Sequence, residues 1–245
     1  STLFPYTTLF RSPYRCVLIG YSDANKEAGL CASRVATWRA QQAIAGASAA
    51  AGERHVVFHG RGGSIPRGGG RVDALVRAAP ADAVNGVLRL TEQGEVVNQS
   101  YGLRPIAMRT LERAFNSLSL RTGDREAALD PGHVACAATL AAASRAAYRK
   151  LVFGEAAFYE WFRAVTPIDV IERMQIGSRP AFRPGSEGLD GLRAVPWVFA
   201  WTQSRHMVPG WYGAGAGLAE AVRQHGIEGL RRAYDELYGD RKSVV

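Results

Sequence analysis

Cysteine is scarce in this 245-residue sequence, and the three present, Cys16, Cys31 and Cys136, are odd in number, far apart and never in a C-x-x-C pair. That spacing excludes a disulfide framework and a cysteine zinc site, and it points to a reducing compartment. The five histidines, His55, His59, His133, His206 and His225, include no H-x-x-x-H pair. No apolar run approaches the roughly 18 residues of a spanning helix, so no membrane is expected. Lysine is nearly missing: of 30 basic residues only Lys26, Lys150 and Lys242 are lysines. The net charge of +8 therefore resides in guanidinium groups, which fork onto carboxylate and phosphate. An anionic substrate, a nucleic acid and a mere arginine-rich coding bias all fit that balance. With 47% hydrophobic residues the chain is too apolar to be disordered and long enough for one sizeable or two small cores.

The two ends stand apart. Residues 2–12 read TLFPYTTLFRS and the last six read DRKSVV, and neither string has the periodicity or capping that would join it to its neighbours. A common sequencing-library adapter translates in one frame to the first string, and its reverse complement translates to the second, followed by a stop. Residues 1–12 and 240–245 are therefore set aside as non-native. Residues 13–239 carry the domain, and the sequence is expected to be a fragment cut at both ends.

Strands and helices alternate along the remainder. CVLIGY (16–21) is a short strand-type run, and an alanine-rich helical stretch follows from about Gly29 to Ala51, with Gly52 as a stop. HVVFHG (55–60) is a second strand; the loop GRGGSIPRGGG (60–70) leads into helical VDALVRAA (72–79), and VLRLT (87–91) is a third strand. Helix signals then dominate. Pro105 opens Ile106 to Leu120, Asp130-Pro131 opens a stretch to Val152, and Thr166-Pro167 reads as an N-cap with proline at the first helical position. AVPWVFAW (194–201) reads as a strand running into a helix, and an amphipathic tail spans Leu218 to Leu237. The order implies an α/β fold, either a parallel sheet or a helix-rich (β/α)8 barrel of TIM type, left partial in a fragment. Neither an internal repeat nor a composition shift marks a domain boundary.

Polar clusters fall where the strands end: Ser22, Asp23 and Lys26 after the first, His59, Arg61 and Arg67 after the second, Glu92, Gln93 and Glu95 after the third. In a (β/α) barrel the active site is built there. Each cluster also has a plainer reading, with Asp23 as an N-cap, Lys26 as a solvated first-turn residue and Glu92 as a turn residue. The loop is the most telling stretch. Gly60, Gly62, Gly63, Gly68, Gly69 and Gly70 would let backbone N–H groups approach an anion, while Arg61 and Arg67 supply two bidentate forks. It is neither G-x-G-x-x-G opening a helix nor a Walker loop. An Arg/Gly RNA contact and a flexible linker compete with a phosphate clamp; its place between a strand and a helix favours the clamp. Trp197, Phe199 and Trp201 read as core packing.

GYSDANKEAG, FHGRGGSIPRGGG, NGVLRLTEQGEVV, IGSRPAFRP and LRAVPWVFAWTQSR, in that order, resemble successive signatures of the C-terminal catalytic half of the phosphoenolpyruvate carboxylases. The similarity runs from about Tyr14 to Gly217, with the tail to Tyr238 less distinctive. Departures from the family pattern are Leu18, Ala24, Glu27 and Pro66; the last stiffens the glycine-rich loop. The resemblance implies a cytoplasmic homotetramer on a helix-rich barrel that uses Mg²⁺ or Mn²⁺. Its partners would be phosphoenolpyruvate and bicarbonate, with no nucleic acid and no membrane, and its products oxaloacetate and phosphate. By residue match Asp23 is a metal ligand, and Lys26 places bicarbonate. Arg61, Arg179 and Arg193 hold phosphate and carboxylate, Arg67 closes on carboxyphosphate, and His59, Gly62, Gly63, Gly68 and Gly69 line the substrate. The upstream TAHPT-type histidine segment and the second metal carboxylate are missing, so the isolated piece is expected to be inactive. The alternatives are an Arg/Gly-loop RNA-binding module and a non-catalytic regulatory homologue.

Overall fold

The computed structural model describes residues 14–123, 129–174, 180–186 and 188–237; the two ends set aside above, and Arg179, lie outside them. Strand β1 (Arg15–Gly20) pairs in parallel with β2 (His55–Gly60), in register from Arg15 opposite His55 to Gly20 opposite Gly60. β2 in turn pairs in parallel with the two-residue β3 (Arg89–Leu90). Parallel neighbours require crossovers. The first consists of α1 (Ser22–Ala28) and α2 (Leu30–Ala50); the second contains α3 (Val72–Ala78). Ile19, Tyr21 and Val57 are buried with Ala83 under Ala40, Ile44 and Leu75, so one face of the sheet is packed on helices. Side chains alternate along a strand, and Leu18, on the other face, is 62% exposed.

A helical layer follows: α4 (Gly94–Tyr101), α5 (Arg104–Gly123), α6 (Pro131–Val152), α7 (Phe158–Val165), α8 (Ile168–Ile171), α9 (Gly188–Gly191), α10 (Ala194–Gln203), α11 (Val208–Trp211) and α12 (Ala214–Leu237). Asp130 caps α6 by accepting from the Gly132 N–H, with Pro131 at the first helical position. α12 lies along α6 and bends at Gly226, whose φ is 72°. The main core gathers Tyr148, Phe162, Ile168, Leu192, Trp197 and Trp201, all fully buried. Phe162 lies 5.0 Å from Trp197, and Trp197 meets Trp201 edge-on at 5.4 Å. Trp197 and Trp201 lie in the core as the sequence leads one to expect, and Phe199 packs, partly buried, at its margin.

The α/β class holds, as a helix-rich fold with a three-stranded parallel sheet in the order β1-β2-β3 among the described residues. These strands do not close a barrel. Three local expectations are corrected. AVPWVFAW is helical throughout: it is buried on nearly every side, so its continuous apolar run carries no period to separate strand from helix, and Pro196 falls in the first turn, where no N–H is needed. Thr166 does not cap the next helix; its hydroxyl donates back to the Phe162 carbonyl at 2.8 Å and closes α7. The third strand is shorter than VLRLT, because β3 pairs only where Phe58 and His59 face it.

Candidate functional site

The glycine-rich loop is a compact structure wound on itself. Ile65–Arg67 forms one 3₁₀ turn, with Pro66 in the position where proline is tolerated. The Gly62 N–H donates to the Arg67 carbonyl at 2.7 Å, Gly68 to Ile65 at 3.0 Å and Gly69 to Ser64 at 2.8 Å. Those amides are engaged inside the loop, which corrects the expectation that Gly62, Gly68 and Gly69 present them to an anion. What requires glycine is close approach. A Cβ on Gly69 would sit 2.0 Å from the Gly63 carbonyl oxygen, and one on Gly62 would sit 2.5 Å from Arg67 Nε. Of Gly62, Gly63, Gly68 and Gly69, only the Gly63 amide has no partner among the described residues.

Two arginines are buried with this loop, Arg61 at 4% exposure and Arg67 at 8%. Arg61 Nη2 donates to the Gly70 carbonyl at 2.9 Å, and the Arg61 carbonyl accepts from the Thr91 hydroxyl at 2.7 Å. The second crossover is thereby tied at its start to its end beyond β3. α1 packs against the 3₁₀ turn and carries Lys26, which is buried to 1%. Lys26 Nζ lies 3.5 Å from Glu27 Oε1 and 5.6 Å from the Phe153 ring centre. Burial pushes its pKa below the ordinary lysine value, against the pull of Glu27 and with the help of the Arg183 charge. Lys26 is thus no solvated surface group.

Asp23 lies in the first turn of α1, while Tyr21 holds the N-cap position. The Asp23 carboxylate is exposed and 3.7 Å from Arg183 Nη2. Arg183 stands in the IGSRPAFRP motif, yet its pairing with Asp23 spans 160 positions and left no sequence signal. It is held in place by an antiparallel bridge between Phe182 and Leu192 and by its own Nη1 donating to the Asp190 carbonyl at 3.0 Å. The same bridge region anchors Arg193, whose backbone N–H donates to the Ala181 carbonyl at 2.8 Å. Arg193 Nε is buried without a hydrogen-bond partner among the described residues, a costly state that an anion would relieve. Asn25, beside Lys26, is 1% exposed, and neither of its amide atoms has a partner among the described residues; its residue type alone does not mark it.

His59 shares the helix-covered face of β2 with Val57 and is 6% exposed. Its Nδ1 is 2.8 Å from the Tyr21 hydroxyl. Burial, reinforced by the Arg61 charge, lowers its pKa to about 4, and burial raises Tyr21 to about 12, so both are neutral near pH 7. Of the third cluster, Glu92 accepts from the Tyr101 hydroxyl at 3.1 Å and Gln93 precedes α4. No group of three or more His, Cys, Asp or Glu side chains among the described residues could hold a metal. Asp23 can lend a divalent cation one hard oxygen, and the rest of the shell would have to come from elsewhere. No described helix is long and apolar enough to cross a membrane.

Cations at the C-terminal ends of parallel strands, several of them buried, with one exposed carboxylate nearby, give this α/β protein a concentrated cluster of positive charge beside the loop. The chain belongs to the phosphoenolpyruvate carboxylase family, whose model matches residues 6–238. It is similar to the phosphoenolpyruvate carboxylase of Xanthomonas campestris pv. campestris strain 8004, 46% identical over 225 residues, covering 90% of this chain and 25% of the relative. The Roseiflexus castenholzii protein of that name is 44% identical over 207 residues, covering 84% and 22%. That of Thermosynechococcus vestitus is 40% identical over 218 residues, covering 87% and 21%. The chain spans about a quarter of the length of the curated relatives it matches.

Proposed function

We propose that this chain is the part of a phosphoenolpyruvate carboxylase catalytic domain that grips the substrate anions, and that its three strands are an arc of a (β/α)8 barrel. The observation that carries the reading is the burial of Arg61 and Arg67 on a self-bonded loop after β2, packed against the helix that buries Lys26. In this reading a bicarbonate oxygen attacks the phosphorus of phosphoenolpyruvate and the bond from phosphorus to the enol oxygen breaks, leaving carboxyphosphate and an enolate. Carboxyphosphate releases CO₂ and phosphate, and the enolate carbon attacks CO₂ to form oxaloacetate. Each stage concentrates negative charge, which preorganised guanidinium groups stabilise without reorganising.

Arg61, Arg179 and Arg193 hold phosphate and carboxylate, and Arg67 meets the carboxyphosphate. Lys26, with its charged form disfavoured by burial, orients bicarbonate and can exchange a proton at Nζ. His59 enters as a neutral neighbour, and the Gly63 amide is left to contact a substrate oxygen. Asp23 would be one oxygen ligand of a divalent cation, Mg²⁺ or Mn²⁺; when bound, the cation polarises substrate oxygens. A cytoplasmic homotetramer of the whole enzyme completes the proposal.

Oxaloacetate formation by the whole enzyme, coupled to malate dehydrogenase and followed as NADH loss, tests it. The rate should require bicarbonate and a divalent metal, and a rate indifferent to both sinks the reading. Residues 1–245 alone should turn over no phosphoenolpyruvate above a blank, since Asp23 finds no fellow ligand among the described residues.

A further inference from the structure

Tyr21 sits between two parts of the site and touches both. It follows β1 directly and is 5% exposed. Its hydroxyl reaches His59 Nδ1 at 2.8 Å across the β1–β2 pair. On its ring side the loop backbone closes in: Gly68 has φ of +85°, and a Cβ there would lie 2.6 Å from Tyr21 Cγ. The Arg34 guanidinium covers the ring at 5.7 Å.

Hydrogen-bond accounting fixes the direction of the Tyr21–His59 bond. A neutral imidazole has one donor and one acceptor nitrogen. If Nδ1–H donated to the phenol oxygen, the Tyr21 hydrogen would need another acceptor, and none is present among the described residues. If Tyr21 donates to Nδ1, its hydroxyl is satisfied, and the imidazole proton must reside on Nε2. Nε2 is not among the fully buried side-chain atoms without a partner, so a proton there can meet solvent, whereas the first arrangement strands the phenol hydrogen of a 5% exposed residue, at about 1–3 kcal/mol. Meanwhile the His59 carbonyl accepts from the Arg61 and Thr91 N–H groups, both at 3.0 Å, so a displaced His59 displaces the residue that carries the first loop arginine.

We propose that Tyr21 is a positioning residue of the anion site: its O–H locks His59 as the Nε2–H tautomer, and its ring is the seat on which the Arg61–Arg67 loop rests. The inference rests on the reading of that loop as the substrate clamp, but its two halves are properties of the chain itself. A charged His59 would add a further cation beneath Arg61, and the Tyr21 hydroxyl opposes this by engaging the lone pair that a proton would take.

Two variants separate the roles. Tyr21→Phe keeps the ring and removes the O–H, whereas Tyr21→Leu removes both. In the full chain labelled with ¹⁵N-histidine, with the His59 signals assigned by their loss in His59→Asn, the unvaried protein should show the Nε2–H pattern. Tyr21→Phe should mix in the Nδ1–H tautomer and raise the His59 titration midpoint. Trypsin should cut after Arg61 and Arg67 at the unvaried rate in Tyr21→Phe and roughly tenfold faster in Tyr21→Leu, as expected when local opening is eased. An Nδ1–H pattern in the unvaried chain, or an unchanged pattern in Tyr21→Phe, overturns the tautomer role; equal cutting in Tyr21→Leu overturns the seat. Neither readout uses phosphoenolpyruvate, so a failure of the carboxylase reading, seen as no turnover by the whole enzyme, is told apart from a failure here.

Discussion

The hydroxyl of Tyr148 donates to the backbone carbonyl of Lys26 at 2.9 Å, with Tyr148 wholly buried and Lys26 exposed by 1%. One bond thus ties the helix after β1 to the last turns of the long α6 and holds Lys26 from behind. Tyr148→Phe should leave the ring packing intact and the carbonyl unpartnered, a loss of about 1–3 kcal/mol. A lowered urea midpoint with an unchanged slope checks it.

The ring of Tyr148 also sets a limit on the junction of α1 and α2. Gly29 has φ of +76°, and a Cβ there would meet Tyr148 at 3.1 Å. Gly29→Ala should therefore destabilise by about 1–3 kcal/mol. Gly46 lies inside α2 with open space around it, and Gly46→Ala should stabilise by about 0.4–1 kcal/mol. Opposite shifts in thermal midpoint are expected, and shifts of the same sign would contradict the geometry.

His59 gives the fold a pH dependence of known sign. Its pKa falls from 6.5 to about 4 on folding because burial disfavours the charged ring. The unfolded chain therefore binds more protons between those values, and stability that is fully present above about pH 6.5 is lost as pH falls toward 4. His59→Asn should flatten the stability profile in that window, measured by denaturation at a series of pH values.

In the whole enzyme the two loop arginines should separate kinetically. On the proposed assignment Arg61, at the strand end, would meet the ground-state phosphate, so Arg61→Ala should mainly raise KM. On the same assignment Arg67 would make its contact only after phosphoryl transfer, so Arg67→Ala should lower kcat with little change in KM. Equal effects on KM would contradict the assignment.

Much of this arrangement was legible in the residues. β2 begins and ends where HVVFHG does, the alanine-rich run after Gly29 is helical, and the polar clusters sit at or just past strand ends, with His59 still inside β2. What escaped was set by contacts distant in sequence. The buried state of Lys26 depends on Phe153, the setting of Asp23 on Arg183, and α10 is helical within a core that AVPWVFAW cannot announce by itself. The glycine count by itself suggests an anion cradle, because glycine permits both close approach and exposed amides. Only the hydrogen bonds show that the loop uses it mainly for the first.

The uncovered face of the sheet offers a practical handle. Of the three thiols, Cys16 on that face is exposed, Cys31 is half-covered and Cys136 is buried. Exposure favours modification of the first over the last, so Cys16 should take up a maleimide dye first, with no engineering. A dye there reports on whatever next comes to lie across β1: its fluorescence would register the docking of neighbouring polypeptide as a loss of solvent contact, turning an open strand into a gauge of assembly.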